Sequence, residues 1–171
     1  MGEVVAALCR GLSNRGVRTY IITLNLQRKF MEQSGMSKEE YIENLYHLTR
    51  DKIKMVDSSI FENYMSAYDG DPRATAAEFQ RQIKRFLIGE ILSKHEGKGI
   101  IHSHDWMAGG IITAFAKLRS IPVLHTVHNS HSGFVPLEMF SGVNLSELWS
   151  NLYVGSDYGR ECVDCQATAI K

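Results

Sequence analysis

The 171-residue chain has no excess of charge of either sign: 19 Lys and Arg balance 19 Asp and Glu, and the pI is near 7.1. Without a net positive field it has no general electrostatic grip on nucleic acid or an anionic membrane, so neither is expected as a partner. Its three cysteines, Cys9, Cys162 and Cys165, make a poor disulfide framework and fit a reducing compartment. No run approaches the roughly 18 to 20 apolar residues of a spanning helix. The start, Met-Gly-Glu-Val-Val, lacks the basic flank and apolar stretch of a signal peptide. A cytoplasmic or organellar location is expected. Proline is scarce, at three residues, and there is neither an internal repeat nor a low-complexity tract. With 44% hydrophobic and 22% charged residues, disorder is excluded and one globular domain over residues 1–171 is expected.

The order of elements points to an α/β fold. Gly2 to Arg15 reads as a helix, with Val4, Val5, Leu8 and Leu12 at three-to-four spacing and Asn14 with Gly16 as the stop. Arg18 to Leu24 is β-branched and aromatic, hence a strand. Ser37 and Glu40 form a capping box for a helix carrying Tyr41, Leu45 and Leu48. Lys52 to Val56 is a short strand or extended segment, and Tyr68 to Ala74 a loop with Gly and Pro between acidic residues. Thr75 opens a long amphipathic helix with Phe79, Ile83, Phe86, Leu87, Ile91 and Leu92 on its apolar side, ending near Glu96-Gly97. Gly99 to Ser103 is a buried strand, Asp105 caps a helix from Trp106 to Arg119, and Ile121 to Val127 is a second buried strand. That is a βαβ unit, which requires a parallel sheet and a right-handed crossover. Asn129 to Gly133 follows as a polar loop, and Leu145 to Tyr153 and Gly159 to Lys171 read as helices. A doubly wound sheet begins on a strand, whereas this chain begins on a helix and ends on another. Both ends are therefore expected to lie inside a larger α/β unit, with apolar faces left uncovered.

In an open parallel sheet, ligands bind outside the carboxyl ends of the strands. Two polar clusters fall there: His102-Ser103-His104-Asp105-Trp106, and His125-Thr126-Val127-His128-Asn129 followed by Ser130 and His131. They hold five of the seven histidines. Strand alternation sends His125 and Val127 to one face and Thr126 and His128 to the other. At the strand end, His128 can reach over the edge and exchange a hydrogen bond with a sugar hydroxyl, and Asn129 adds a donor and an acceptor. Asp105 can cap its helix, whose N-terminus offers N–H groups to an oxygen-rich ligand or an anion. Gly2, opening the first helix, stands where a glycine-rich turn meets phosphate or sugar.

Each of these residues also has a bland explanation. A histidine at a strand end is commonly a satisfied structural residue. His102 and His104 share a face, as some metal ligands do, but no CxxC or HExxH pattern accompanies them and no metal is expected. Cys162-Val163-Asp164-Cys165 is a CxxC inside an expected helix with no second pair, so buried structural cysteines are expected there, and Cys9 is expected in the core of the first helix. The acidic loop Asp69-Gly70-Asp71 reads as solvated.

Taken together and in order, these segments resemble the bacterial glycogen synthases and plant starch synthases. Gly2-Glu3-Val4-Val5 is similar to the second half of that family's Lys-x-Gly-Gly-Leu…Gly-Asp-Val-Val stretch, with Glu for Asp and without the Lys-x-Gly-Gly half. His102 to Gly110 resembles its His-Asp-Trp segment, with Met107 where many members carry His. His125 to Asn129 resembles its Thr-Val/Ile-His-Asn segment. Asp164 to Lys171 is similar to the run before its Val-Ser-Pro region. The resemblance implies an incomplete N-terminal, acceptor-side lobe of a two-lobed GT-B fold: a parallel Rossmann-like sheet flanked by helices, without the C-terminal nucleotide-sugar domain. It implies His128 as the catalytic residue contacting the transferred glucose, and Gly2, Asp105, Trp106 and Asn129 as substrate-binding residues. The implied reaction transfers glucose from ADP-glucose or UDP-glucose to the non-reducing end of an α-1,4-glucan, with retention, with no metal and no cofactor beyond the nucleotide-sugar co-substrate. The implied partners are the α-glucan acceptor and, through the other lobe, the nucleotide sugar. A plant source would place it in the plastid. The chain alone is expected to be inactive. A related glycosyltransferase with another donor or acceptor, and a non-catalytic glucan-binding lobe, remain the alternatives.

Overall fold

A computed structural model describes residues 2–40, 53–87, 99–128 and 133–171. The chain divides into two compact units, Met1–Ser66 and Ala67–Lys171.

In the first unit, helix α1 (Gly2–Ser13) stops where Asn14 and Gly16 were expected to stop it. Gly16 takes φ +76°, and the Val17 N–H returns to the Leu12 carbonyl at 3.0 Å, satisfying an end carbonyl of the helix. Strand β1 (Ile21–Leu24) lies parallel to β2 (Ile53–Val56), with Ile21 opposite Ile53. Between them α2 (Gln27–Ser34) ends at Gly35 in the left-handed conformation. The Ser37–Glu40 capping box forms in both directions: Glu40 Oε2 accepts from the Ser37 N–H at 2.8 Å and Ser37 Oγ from the Glu40 N–H at 3.2 Å. Tyr41, Leu45 and Leu48 lie outside the described residues. Val4 and Leu8 on α1 remain open, and Cys9 is only half-buried rather than a core residue.

The second unit is built around α3 (Pro72–Phe86). It begins three residues before the Thr75 start read from the sequence. Asp71 is the N-cap, its Oδ1 accepting from the Arg73 N–H at 2.9 Å, and Pro72 fills the first helical position. The same Asp-Pro pair that suggested a loop therefore starts the helix. Strands β3 (Ile101–His104) and β4 (Val123–Thr126) pair in parallel, with Ser103 opposite His125. The crossover contains a 3-10 turn, Trp106–Ala108, and then α4 (Gly110–Leu118). Thus the βαβ unit is present, but its α-helix starts at Gly110 rather than Trp106. The expected end of α3 near Glu96-Gly97, with Ile91 and Leu92, lies outside the described residues.

Two expected helices are something else. Leu145 to Tyr153 holds two 3-10 turns, Leu145–Glu147 and Trp149–Asn151. Leu148 and Leu152 are buried at helical spacing, but Leu152 already has extended torsions and leads into β6 (Val154–Asp157). Gly159 to Lys171 is mostly β7 (Arg160–Asp164) followed by the six-residue helix α5 (Cys165–Ile170), which Asp164 caps through the Ala167 N–H. Tyr158 (φ +49°) and Gly159 (φ +78°) make the two-residue turn between β6 and β7, the left-handed pair that closes a tight hairpin. With β5 (Phe134–Pro136) these strands form an antiparallel sheet in the order β5-β7-β6. The core of this unit joins α3, α4 and that sheet through Ala76, Ile111, Phe115, Val135, Phe140 and Val163. Among the described residues the fold is mixed α/β, with two small parallel pairs and one antiparallel sheet.

Candidate functional site at the ends of β3 and β4

The ladder between β3 and β4 continues one bond past β3, where the Asp105 N–H donates to the Thr126 carbonyl at 2.9 Å. The ends of both strands are thereby held side by side. Alternation then sorts the side chains as expected. On one face His102 Nε2 meets Thr126 Oγ1 at 2.8 Å, and His104 Nδ1 meets His128 Nε2 at 3.0 Å. The rings of His102 and His104 stack at 4.2 Å between centroids, while those of His104 and His128, 5.3 Å apart and near-parallel, meet nitrogen to nitrogen. On the other face Ser103 Oγ pairs with His125 Nδ1 at 2.8 Å. Which ring nitrogen carries the proton in each pair depends on the tautomer.

Electrostatics reinforce this sorting. Burial, and then the neighbouring imidazole of His128, hold His102 below the usual histidine range. His104 is lowered by burial and by His102, His128 and His125. His125 is lowered chiefly by burial, against the opposing pull of the Asp105 carboxylate, which marks Asp105 as a neighbour of His125. Near neutral pH these three rings are uncharged, and each can donate one hydrogen bond and accept one.

Asp105 differs from its expected role. It has φ +63° and ψ 170°, a conformation essentially reserved for glycine, and its side chain makes no capping bond. An N-cap needs β-region torsions, and here a 3-10 turn separates Asp105 from α4. One of the first N–H groups of α4 is closed to an anion as well, since Ile111 N–H is held by Gln80 Oε1 at 2.9 Å. Asp105 and Trp106 are both buried, at 3% and 6% exposure, whereas His128 is exposed. The Trp106 indole occupies the space that a side chain on residue 133 would need, so Gly133 is required there. Gly2 is the first residue of α1, in the other unit. Asn129 lies outside the described residues.

Two features were not read from the sequence. Gln80, fully buried on α3, bonds the loop below the site at both ends: its Nε2 donates to the Met107 carbonyl at 3.2 Å, and its Oε1 takes the Ile111 N–H. A glutamine on the apolar side of a helix gives only a weak signal of this kind. At the ends of β1 and β2 there is also a mostly apolar hollow lined by Asn25, Lys29, Phe30, Gln33 and Met55, where Asn25 Nδ2 donates to Asp57 at 2.5 Å. The CxxC cysteines are buried as expected, although in a strand and at a helix start. Complete burial pushes Cys165 up to about 12, so its thiol is inert at neutral pH. Among the described residues no group of three or more His, Cys, Asp and Glu side chains is arranged to hold a metal ion, and no helix is long and apolar enough to cross a membrane.

Neither a curated protein nor a solved structure gives a significant match to the chain. The family model of the starch synthase catalytic domain matches residues 1–168. The resemblance read from His102 to Gly110 and from His125 to Asn129 thus extends over nearly the whole sequence, and the chain belongs to the starch synthase catalytic domain family of glycosyltransferases.

Proposed function

We propose that the chain is the acceptor-side part of a retaining glucosyltransferase that moves glucose from ADP-glucose or UDP-glucose to the non-reducing end of an α-1,4-glucan. The observation that supports this most directly is the exposed imidazole of His128 at the end of β4, hydrogen-bonded to His104 at the end of β3. Sugar hydroxyls both donate and accept hydrogen bonds, and neutral imidazoles match them.

In this reading His128 holds a hydroxyl of the transferred glucose, and His104 fixes the tautomer and tilt of its ring. The bond from Asp105 to Thr126 keeps the two strand ends together, and the buried Trp106 supports the turn beneath them. Asn129 adds a donor and an acceptor beside His128, and Gly2 opens a helix whose N-terminal N–H groups suit a donor phosphate. Charge developing on the departing diphosphate needs positive groups and helix N-termini aimed at it.

Two measurements test the reading. Maltoheptaose added to the chain should shift the His128 and His104 ring resonances, and His128→Ala should remove the effect. In an enzyme complete with its donor-binding lobe, His128→Ala should lower kcat by about 10²- to 10³-fold, the usual cost of losing one well-placed transition-state contact. Unchanged rate and unchanged glucan affinity in that variant would refute the assignment.

A further inference from the structure

Along α3, Glu78, Arg81, Lys84 and Arg85 recur at spacings of three and four residues, so they gather on one side of the helix. With residues 141–143, just past the 3-10 turn Leu137–Phe140, they line a hollow of about 430 Å³. A convex run of cations is ordinarily only a solvated face. Three observations set this one apart. It is concave, with a volume in the range of small-molecule sites. Its charge is uncompensated: three cations face one carboxylate, a net of +2, in a chain whose formal net charge is zero. Both oxygens of that carboxylate are already taken, Glu78 Oε2 by Arg81 Nη2 and Oε1 by Gln82 Nε2 at 2.9 Å. Lys84 and Arg85 have no carboxylate partner among the described residues. Like charges three and four residues apart destabilise a helix, and a bound anion relieves that repulsion. Finally, the Arg81 guanidinium is held in place from across the hollow, Nη1 donating to the Ser141 carbonyl at 3.2 Å and to Ser141 Oγ at 3.3 Å.

We propose that this hollow binds a small dianion, the phosphate group of a phosphate monoester. Such a group carries close to two negative charges at neutral pH and presents three acceptor oxygens, which matches the net charge of the lining. Arg81 supplies fixed charge. The donors are the Arg85 fork, exposed, and the half-buried Lys84 ammonium, which stands 5.7 Å from the centre of the Phe115 ring. The Ser141 hydroxyl accepts from Arg81 and keeps its own proton to donate. Arg119, 5.5 Å from the same Phe115 ring, adds a further cation on this side of the unit. No lining residue belongs to β3 or β4, so the site is separate from the strand-end histidines and does not depend on the transferase reading.

The test uses the 171-residue chain and inorganic phosphate at pH 7.5, with sodium chloride exchanged to hold the ionic strength at about 0.1 M, where screening reaches about 10 Å. Binding is followed by 1H–15N spectra of the arginine Nε–H groups and of the Ser141 and Gly142 amides. The expected result is saturable binding of one equivalent that moves the Arg85, Ser141 and Gly142 signals and leaves the His104 and His128 rings unmoved. Acetate, a monoanion, should bind at least about fivefold more weakly. Lys84→Gln and Arg85→Gln should each weaken phosphate binding by about five- to tenfold, the loss of one charge-assisted hydrogen bond at a partly exposed site. Lys38→Gln removes the same charge from an exposed position in the other unit and should leave binding unchanged. Arg85 is exposed, so its variant keeps the fold, as far-UV circular dichroism would verify. A response that never saturates, an affinity unchanged in both Lys84→Gln and Arg85→Gln, or an equal loss in Lys38→Gln would each overturn the site. No glucan or turnover enters these readouts, so its failure leaves the glucosyltransferase reading standing, and the reverse.

Discussion

Replacing Gln80 by leucine removes one amide and strands two backbone groups. Gln80 is fully buried; its Nε2 reaches the Met107 carbonyl and its Oε1 holds the Ile111 N–H, at 3.2 and 2.9 Å. Leucine has nearly the same volume and adds apolar contact, but it bonds to neither group. A buried donor or acceptor left without a partner costs about 1–3 kcal/mol. The two together amount to about 2–5 kcal/mol, after some return from leucine packing. Against a typical total of about 5–15 kcal/mol this is a large share. For a chain of this length it lowers Tm by roughly 5–15 °C. Urea unfolding followed by tryptophan fluorescence measures it, because Trp106 is buried one residue from Met107. The midpoint should fall with the slope unchanged. Gln33→Leu, on the exposed side of α2, is the control and should stay within about 0.5 kcal/mol of the parent. A Gln80→Leu protein as stable as the control would refute the reasoning, because it would mean that the Met107–Ile111 loop needs no brace from α3.

Three further outcomes are expected. Gly133→Ala puts a methyl group into the Trp106 indole and should cost about 1–3 kcal/mol, with a red shift of tryptophan emission as the ring is displaced; an unshifted spectrum would contradict the packing. His102, His104 and His125 are held below their ordinary values in the fold, so the unfolded chain binds protons more readily than the native one. Stability is therefore constant above the unfolded value of about 6.5 and declines as pH falls through it toward the folded values. The urea midpoint should drop between pH 7.5 and 5, and less steeply in His102→Gln; a flat profile would remove the electrostatic argument. Tyr158→Asn places a residue tolerant of positive φ in the β6–β7 turn, where Tyr158 is 97% exposed and loses no packing. A gain of about 0.5–1 kcal/mol is expected by thermal unfolding, and a loss would show that the tyrosine ring has a partner.

What could be read in the sequence depended on how local the controlling interactions are. Ser37 and Glu40 are three residues apart, and their reciprocal cap formed as expected. The two strands ending in His104 and Thr126 were legible from their apolar starts, Ile100-Ile101 and Val123-Leu124, with a helix-length spacer between them, but the burial expected of both is only partial, Leu124 being 51% exposed. The β6–β7 hairpin was not, although Tyr158-Gly159 is a two-residue turn, because Gly159 to Lys171 was read as one helix, with Cys162 and Cys165 inside it. Those cysteines are buried by β5 and by α3, both far away in the chain. The Asp71 cap was missed because Asp-Pro was weighed as a breaker, when proline in the first turn stops nothing.

The same division holds for the site. Alternation along a strand is a local property, so the sequence by itself determined that His128 and Thr126 share a face opposite to His125, and that the histidines gather at two strand ends. It also determined the family, because ordered motifs survive where individual residues vary. Only the tertiary structure decided which histidine touches which: His104 with His128, Ser103 with His125 and His102 with Thr126 are set by the parallel register. It also decided that Asp105 does not cap a helix and instead adopts a glycine-like backbone, held by a bond to β4 and a turn braced by Gln80. Such strain is sustained by neighbours remote in the chain, so no local pattern of residues announces it.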